Sequence, residues 1–278
     1  TVYPVFSGIE LVYYDVHMQS CDINLAKGRE MLIITHCQEG RIEFEYKNGE
    51  YLYLASGDLS IQKNTENIRH RYCPLSHYHG VSVAIDMNRV PRCFSCILDD
   101  VFVSPEELEM KFCSEKPYSI MRENISIEHI FSELYSVPEN IRKGYHKVKV
   151  LELLLFLSGL DYKGESEERR YFSRSQVTAA KEAKKYLLAH LDEHITITEL
   201  ADMLGISSTS LKICFKGVYG DTINGYITNC KMQKAASLLK NTDKSALEIA
   251  GIVRYNNGSQ FAGAFRRVMN KSPNEYRK

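Results

Sequence analysis

Two short motifs carry the side chains best suited to coordination or nucleophilic chemistry. His77-Tyr-His79 spaces two imidazoles so that a strand would present both on one face, as a metal or a hydrogen-bonding ligand requires. Cys93-Phe-Ser-Cys96 pairs two thiols, and Cys113 offers a third for metal binding or redox sensing. Neither set is complete. No second CxxC supplies a fourth zinc ligand, so Cys21, Cys37, Cys73, Cys214 and Cys230 read as buried or half-exposed thiols. GxSxG, HExxH and a phosphate-binding glycine-rich loop are all missing from the sequence. An enzyme is therefore not expected, no catalytic residue is assigned, and no metal or cofactor is called for.

Charge supplies a different chemistry. The 278 residues hold 35 Lys+Arg and 35 Asp+Glu, which sum to zero. The halves differ: residues 1–173 hold 19 basic and 26 acidic side chains, a balance of minus 7, and residues 174–278 hold 16 and 9, a balance of plus 7. Only the second half suits a polyanion.

That basic half contains a pattern twice. Leu200, Ala201, Leu204, Leu211 and Phe215 match Ile249, Ala250, Val253, Phe261 and Phe265, with one extra residue in the second turn. The spacing is that of a helix-turn-helix. Small Ala201 and Ala250 let two helices cross closely, Gly205 supplies a turn, and Ser207 or Asn256 caps the second helix. Apolar pairs four apart lock that helix to its core and leave its other face free for a major groove. A spacer helix, Tyr226 to Lys240, would set the two units about one duplex turn apart.

The elements that must hold these motifs change character along the chain. Met31 to His36, Arg41 to Tyr46, Glu50 to Leu54, Leu59 to Ile61 and Gly80 to Ile85 read as short strands, with turns at Asn48-Gly49 and Gly57-Asp58. Ser104-Pro105-Glu106-Glu107 starts a helix, and Ile125 to Leu134 and Tyr145 to Leu157 continue helical. The last carries more apolar surface than one wet helix needs, so Val148, Leu151, Leu154 and Leu155 are expected in a core or a dimer interface. Asp161 to Arg174 is polar and charged, as a linker would be. Val148 to Leu160 is too short, and too interrupted by Lys149 and Glu152, to span a bilayer. The start, Thr1-Val-Tyr-Pro, is unlike a signal peptide and lacks Met, which suggests a trimmed chain and a cytoplasmic location.

Residues 176–278 resemble the DNA-binding domain of the AraC/XylS family of bacterial transcription regulators. The signature segments are Ile249-Ala250 to Tyr255, Phe261 to Phe265-Arg266-Arg267, and Ser272-Pro273-Asn-Glu-Tyr276-Arg277. The amino-terminal half is similar, more loosely, to the cupin-like sensor domains of such regulators. The resemblance implies an α+β two-domain chain. A cupin-like antiparallel β-barrel with following helices (1–160) would sense a ligand and dimerise; a linker (161–174) would join it to an all-α domain with two helix-turn-helix units (175–278). DNA contacts are implied for Ser207, Ser208, Thr209, Lys212, Ile213 and Lys216, and for Asn257, Gly258, Ser259, Ala262, Gly263, Arg266 and Arg267. Three positions depart from the family. Arg254 and Asn270 stand where Gly is usual, and Gly263 stands where a long polar side chain is common. The first unit is therefore expected to read bases, and the second to position on phosphates through Arg266, Arg267 and Lys271.

The implied partners are double-stranded promoter DNA, a small-molecule effector, a second copy in a homodimer and, for an activator, RNA polymerase; no membrane is implied. Aromatic residues and histidines give the expected effector set: Tyr14, His36, Phe44, Tyr46, Tyr53, His77 and His79. Metal-binding cupins place HxH earlier, and here it follows Gly57-Asp58, so a metal-dependent enzyme or a Cys-based sensor is the lesser alternative. Control would come either from altered subunit pairing or from an acidic sensor restraining its basic neighbour.

Overall fold

Alternation of apolar side chains builds the amino-terminal sheet from both faces. Leu32 and Ile34 of β3 (Met31–Tyr46) are fully buried in one cluster with Ile9 and Leu11 of β2 (Ile9–Val16), Leu59 of β5 (Leu59–Lys63) and Val83 and Ile85 of β7 (Tyr78–Asp86). Met31 and Ile33 pack the other face with Val12 and Ala84. This computed structural model describes residues 1–18, 29–63, 68–91, 103–122, 124–162, 172–191, 193 and 195–277. The chain divides into two units, Thr1–Tyr171 and Phe172–Lys278.

The two strands expected at 31–36 and 41–46 are one. Gln38-Glu39-Gly40, between the two expected strands, forms a bulge, with the register shifting between Cys37 and Glu39 and Gly40 at φ +85°. A Cβ on Gly40 would collide with the His77 carbonyl oxygen. Before the bulge, β3 pairs with β5 and β7; beyond it, with β4 (Tyr51–Ala55) and β6 (Ile68–Tyr72). The other ladder runs β1-β2-β7-β3-β5-β8, where β1 is Val2–Phe6 and β8 is Tyr118–Met121. All pairings among the described residues are antiparallel, and among those residues the order ends at β1 and β8 without closing into the expected ring. The Asn48-Gly49 turn closes the β3–β4 hairpin with Gly49 at φ +84°.

Three helices cover one face of this sheet. The Ser104 hydroxyl caps α1 (Pro105–Cys113) by accepting from Glu107 N at 3.3 Å, as its sequence predicts. Asn124 caps α2 (Ile125–Leu134), and α3 runs Arg142–Gly159, starting before the expected Tyr145. Val150, Leu153, Leu154 and Leu157 of α3 join the first sheet cluster with Ile127, Ile130, Phe131 and Leu134 of α2. Lys149, 3% exposed, donates to Glu133 at 2.8 Å and Glu152 at 2.6 Å, so its charge is paired where it enters the core.

The carboxy-terminal unit is helical among its described residues: α4 (Arg174–Ala189), α5 (Ile197–Met203), α6 (Ser208–Tyr219), α7 (Ile223–Asn241), α8 (Ala246–Ile252), α9 (Gly258–Met269) and α10 (Pro273–Arg277). Of the expected linker, residues 163–171 lie outside the described set, and Ser173 is already the N-cap of α4. No described helix is long and apolar enough to cross a membrane.

Candidate nucleic-acid interface

The two helix-turn-helix units are built from the same local chemistry. Thr196 with Glu199, and Ser245 with Glu248, form capping boxes that start α5 and α8. Each first helix then closes identically: Ile206 N donates to Ala201 O at 3.1 Å, and Tyr255 N to Ala250 O at 2.9 Å. Gly205 takes φ +65° in the first turn, and Arg254 takes +60° in the second. The extra residue of the second turn is Asn256, because the cap of α9 is Asn257 rather than the expected Asn256. The Asn257 Oδ1 accepts from Ser259 N at 2.8 Å and Gln260 N at 3.4 Å, as the Ser207 hydroxyl accepts from Ser210 N at 3.2 Å.

With caps aligned, Leu211, Cys214, Phe215 and Val218 bury one face of α6, and Phe261, Ala264 and Phe265 bury one face of α9. Phe261 and Phe265 pack with Met232 and Leu239 of α7 and Ile249 and Ala250 of α8. The opposite face is open. On α6, Thr209, Lys212 and Lys216 are exposed, with Ser208 and Ile213 half-buried and the Ser207 cap exposed. On α9, Ser259, Gly263, Arg266 and Arg267 are exposed, Gly258 and Ala262 are half-buried, and Asn257 is exposed with its carbonyl oxygen committed to the cap. Both sets form outward stripes, the first with Lys212 near its middle and the second basic only at its carboxy-terminal end. Gln260, exposed beside Ser259, joins the second stripe, although no contact is implied for it or for Ser210, its counterpart in the first unit. The unit holds 16 basic and 9 acidic residues, so its field favours an anionic partner.

The expected effector residues differ in burial and in partners. His36, Phe44 and Tyr46 are core side chains, Tyr14 and Tyr53 are half-buried, and Tyr53 donates to Glu43 at 2.6 Å. His36 stacks on Phe131 with ring centroids 4.5 Å apart and its Nδ1 3.1 Å from the Tyr135 hydroxyl; burial lowers its pKa to about 4. His77 and His79 do not share a strand face, since β7 begins at Tyr78. His77 turns to the Leu75 carbonyl, while His79 meets Asp15. Cys93 and Cys96 lie outside the described residues. Burial pushes the Cys113 thiol up to about 11, which keeps it protonated and makes it a poor third thiolate.

The apolar stripe of α3 divides. Leu154 is fully buried, but Val148, Leu151 and Leu155 line a groove of about 720 Å³ with Ile125, His129 and Phe156.

Comparisons with known proteins follow the same division. Residues 200–278 match a helix-turn-helix domain family. The xylose operon regulatory protein of Escherichia coli K12 is 31% identical over 153 residues, covering 52% of this chain and 39% of that protein. The melibiose operon regulatory protein of the same strain is 29% identical over 93 residues, covering 34% and 31%. The chain thus spans well under half the length of these curated relatives. Among solved structures, the C-terminal domain of AraT, a response regulator from Geobacillus stearothermophilus, shares 32% identity over 36% of this chain and 83% of that one, at a TM-score of 0.34. The duplicated caps and turns lie in the same carboxy-terminal unit that holds the helix-turn-helix match and the similarity to these operon regulators.

Proposed function

We propose that this chain is a sequence-specific DNA-binding transcription regulator whose amino-terminal unit, read as a cupin-like sensor, answers to a small molecule. The observation that carries the reading is the pair of outward stripes on α6 and α9, each opposite a buried face in a basic unit. An exposed helix face with phosphate-binding side chains at its margin is what major-groove entry needs. Thr209 and Lys212 are the readers on α6, while Arg266 and Arg267 hold phosphates. The similarity to operon regulators supports a promoter as target, with RNA polymerase a further partner if the protein activates. Regulation rather than catalysis, in the cytoplasm, is the role these features favour.

The groove on α2 and α3 supports homodimerisation. Val148 is 60% exposed and Ile125 86%, a cost in apolar hydration that a second copy of the same face would remove. The decisive experiment is selection of binding sites from random duplexes with the full chain. Enrichment of a motif with two segments about 10 base pairs apart is expected; a pool that stays unenriched would overturn the reading.

A further inference from the structure

His17 follows the end of β2, two residues after Asp15, and Asp15 is the direct cross-strand partner of His79 on β7. Register and alternation therefore place the Asp15 and His79 side chains on one face of the sheet, opposite Tyr14, Val16 and Tyr78, which pack inward, and His17 reaches both from just beyond the strand end. Asp15 Oδ1 lies 2.9 Å from His17 Nε2 and 3.3 Å from His79 Nδ1. The two imidazole rings meet edge to face with centroids 5.2 Å apart, and one donor atom from each of the three residues lies within 4.8 Å of the others. Oxygen and nitrogen donors about 2.0–2.2 Å from a shared ion stand roughly 2.9–3.5 Å apart at ordinary coordination angles. Two of the three edges already have that length, and the third closes by rotation of exposed side chains.

We propose that Asp15, His17 and His79 bind one divalent transition-metal ion of the zinc and nickel class. Two imidazoles and a carboxylate are softer than the all-oxygen shells that Mg²⁺ and Ca²⁺ prefer, and they suit Zn²⁺ or Ni²⁺. Three protein ligands leave the remaining positions to water. Asp15 and His17 are about 70% exposed, so the ion enters with no more than rotation of surface side chains, and the affinity belongs in the micromolar range rather than that of a buried structural site. A bound ion would tie β2 to β7 and stabilise the folded chain by mass action. The site is separate from the His77-Tyr-His79 motif as such: His79 contributes, His77 does not.

The test is calorimetric titration of the untagged, chelator-stripped full chain with ZnCl₂ and NiCl₂. One micromolar equivalent is expected, weakened at least about tenfold by each of Asp15→Asn, His17→Asn and His79→Gln. His77→Asn should leave it unchanged, as should Cys93→Ser combined with Cys96→Ser, which separates the site from thiolate binding. Zinc should also raise the melting temperature of the unsubstituted chain, and should not raise that of any of the three ligand variants above its own metal-free value. Absence of a micromolar equivalent would overturn the proposal. So would binding that survives both His17→Asn and His79→Gln, or that disappears with the cysteine pair.

Discussion

Arg254 adopts φ +60° at the post where Gly205, in the other helix-turn-helix, adopts +65°. The backbone bonds on either side are the same in both units, so the left-handed conformation is imposed by the turn and not by the residue. An L side chain pays about 1–2 kcal/mol for that conformation, and Gly does not. Arg254→Gly should therefore stabilise the carboxy-terminal unit by about 1 kcal/mol, and Gly205→Arg should cost as much, since a Cβ at Gly205 would meet nothing within 4 Å. Thermal melts of the two variants, moving by roughly 4 °C in opposite directions, check this.

The cap of α9 gives a sharper contrast between neighbours. Asn257→Ala removes the acceptor for Ser259 N and Gln260 N and should cost about 1 kcal/mol, whereas Asn256→Ala, in the turn, should cost no more than a few tenths. Denaturant unfolding of both variants reads the difference, and equal effects would move the helix start back to the earlier residue.

These two positions show what kind of information a sequence displays. Caps and apolar pairs four apart are local, so the two helix-turn-helix units were legible; the error at Asn256 came from the one inserted residue, and the spacer helix starts at Ile223 rather than Tyr226 because Thr222 caps it. The amino-terminal unit depends on distant partners. β2 buries side chains from both faces, which blurs the alternation that marks a half-buried strand. Gln38-Glu39-Gly40 has turn composition, yet it becomes a bulge because β3 finds different neighbours on its two sides. The stripe on α3 shows many apolar residues without showing which face is covered. Packing against the sheet takes Leu154 and leaves Val148 and Leu155 to the groove. His79 was visible only beside His77, because Asp15 and His17 become neighbours through the β2–β7 pairing alone.

The asymmetry between the two outward stripes predicts a division of labour on DNA. Lys212 lies near the middle of its stripe, so Lys212→Ala should relax discrimination at one base position by about 1–3 kcal/mol. Arg266→Ala or Arg267→Ala should instead weaken binding evenly across sequences and reduce the slope of log K against log salt by about 1. Anisotropy titrations on the selected duplex and its single-base variants, at several salt concentrations, separate the two. Unchanged preference in Lys212→Ala together with altered preference in Ser259→Ala would exchange the roles.

His36 makes part of the stability dependent on pH. Its folded pKa, about 4, lies below the ordinary value of 6.5 because burial disfavours the imidazolium. Between those values the unfolded chain binds the extra proton and the folded chain does not. The contribution is thus complete above pH 6.5 and is lost as pH falls toward 4. His36→Leu, which keeps the bulk against Phe131, should flatten the dependence of unfolding free energy on pH in that window, whatever it does at pH 7. A slope there that matches the unsubstituted chain would assign the pH response to other groups.

The groove on α2 and α3 separates assembly from folding at adjacent positions. Leu154 is fully buried among sheet and helix side chains, so Leu154→Ala should destabilise the unit by about 2–5 kcal/mol. Val148 is 60% exposed, and Val148→Lys should leave the unfolding free energy of a dilute sample within about 0.5 kcal/mol of unchanged. If a second copy covers the groove, the same substitution sets two like charges near the symmetry axis and desolvates them. Sedimentation of Val148→Lys should then show monomer at concentrations where the unsubstituted chain is dimeric, with site-specific DNA affinity reduced through lost avidity. A variant that still sediments as a dimer would place subunit pairing on another surface.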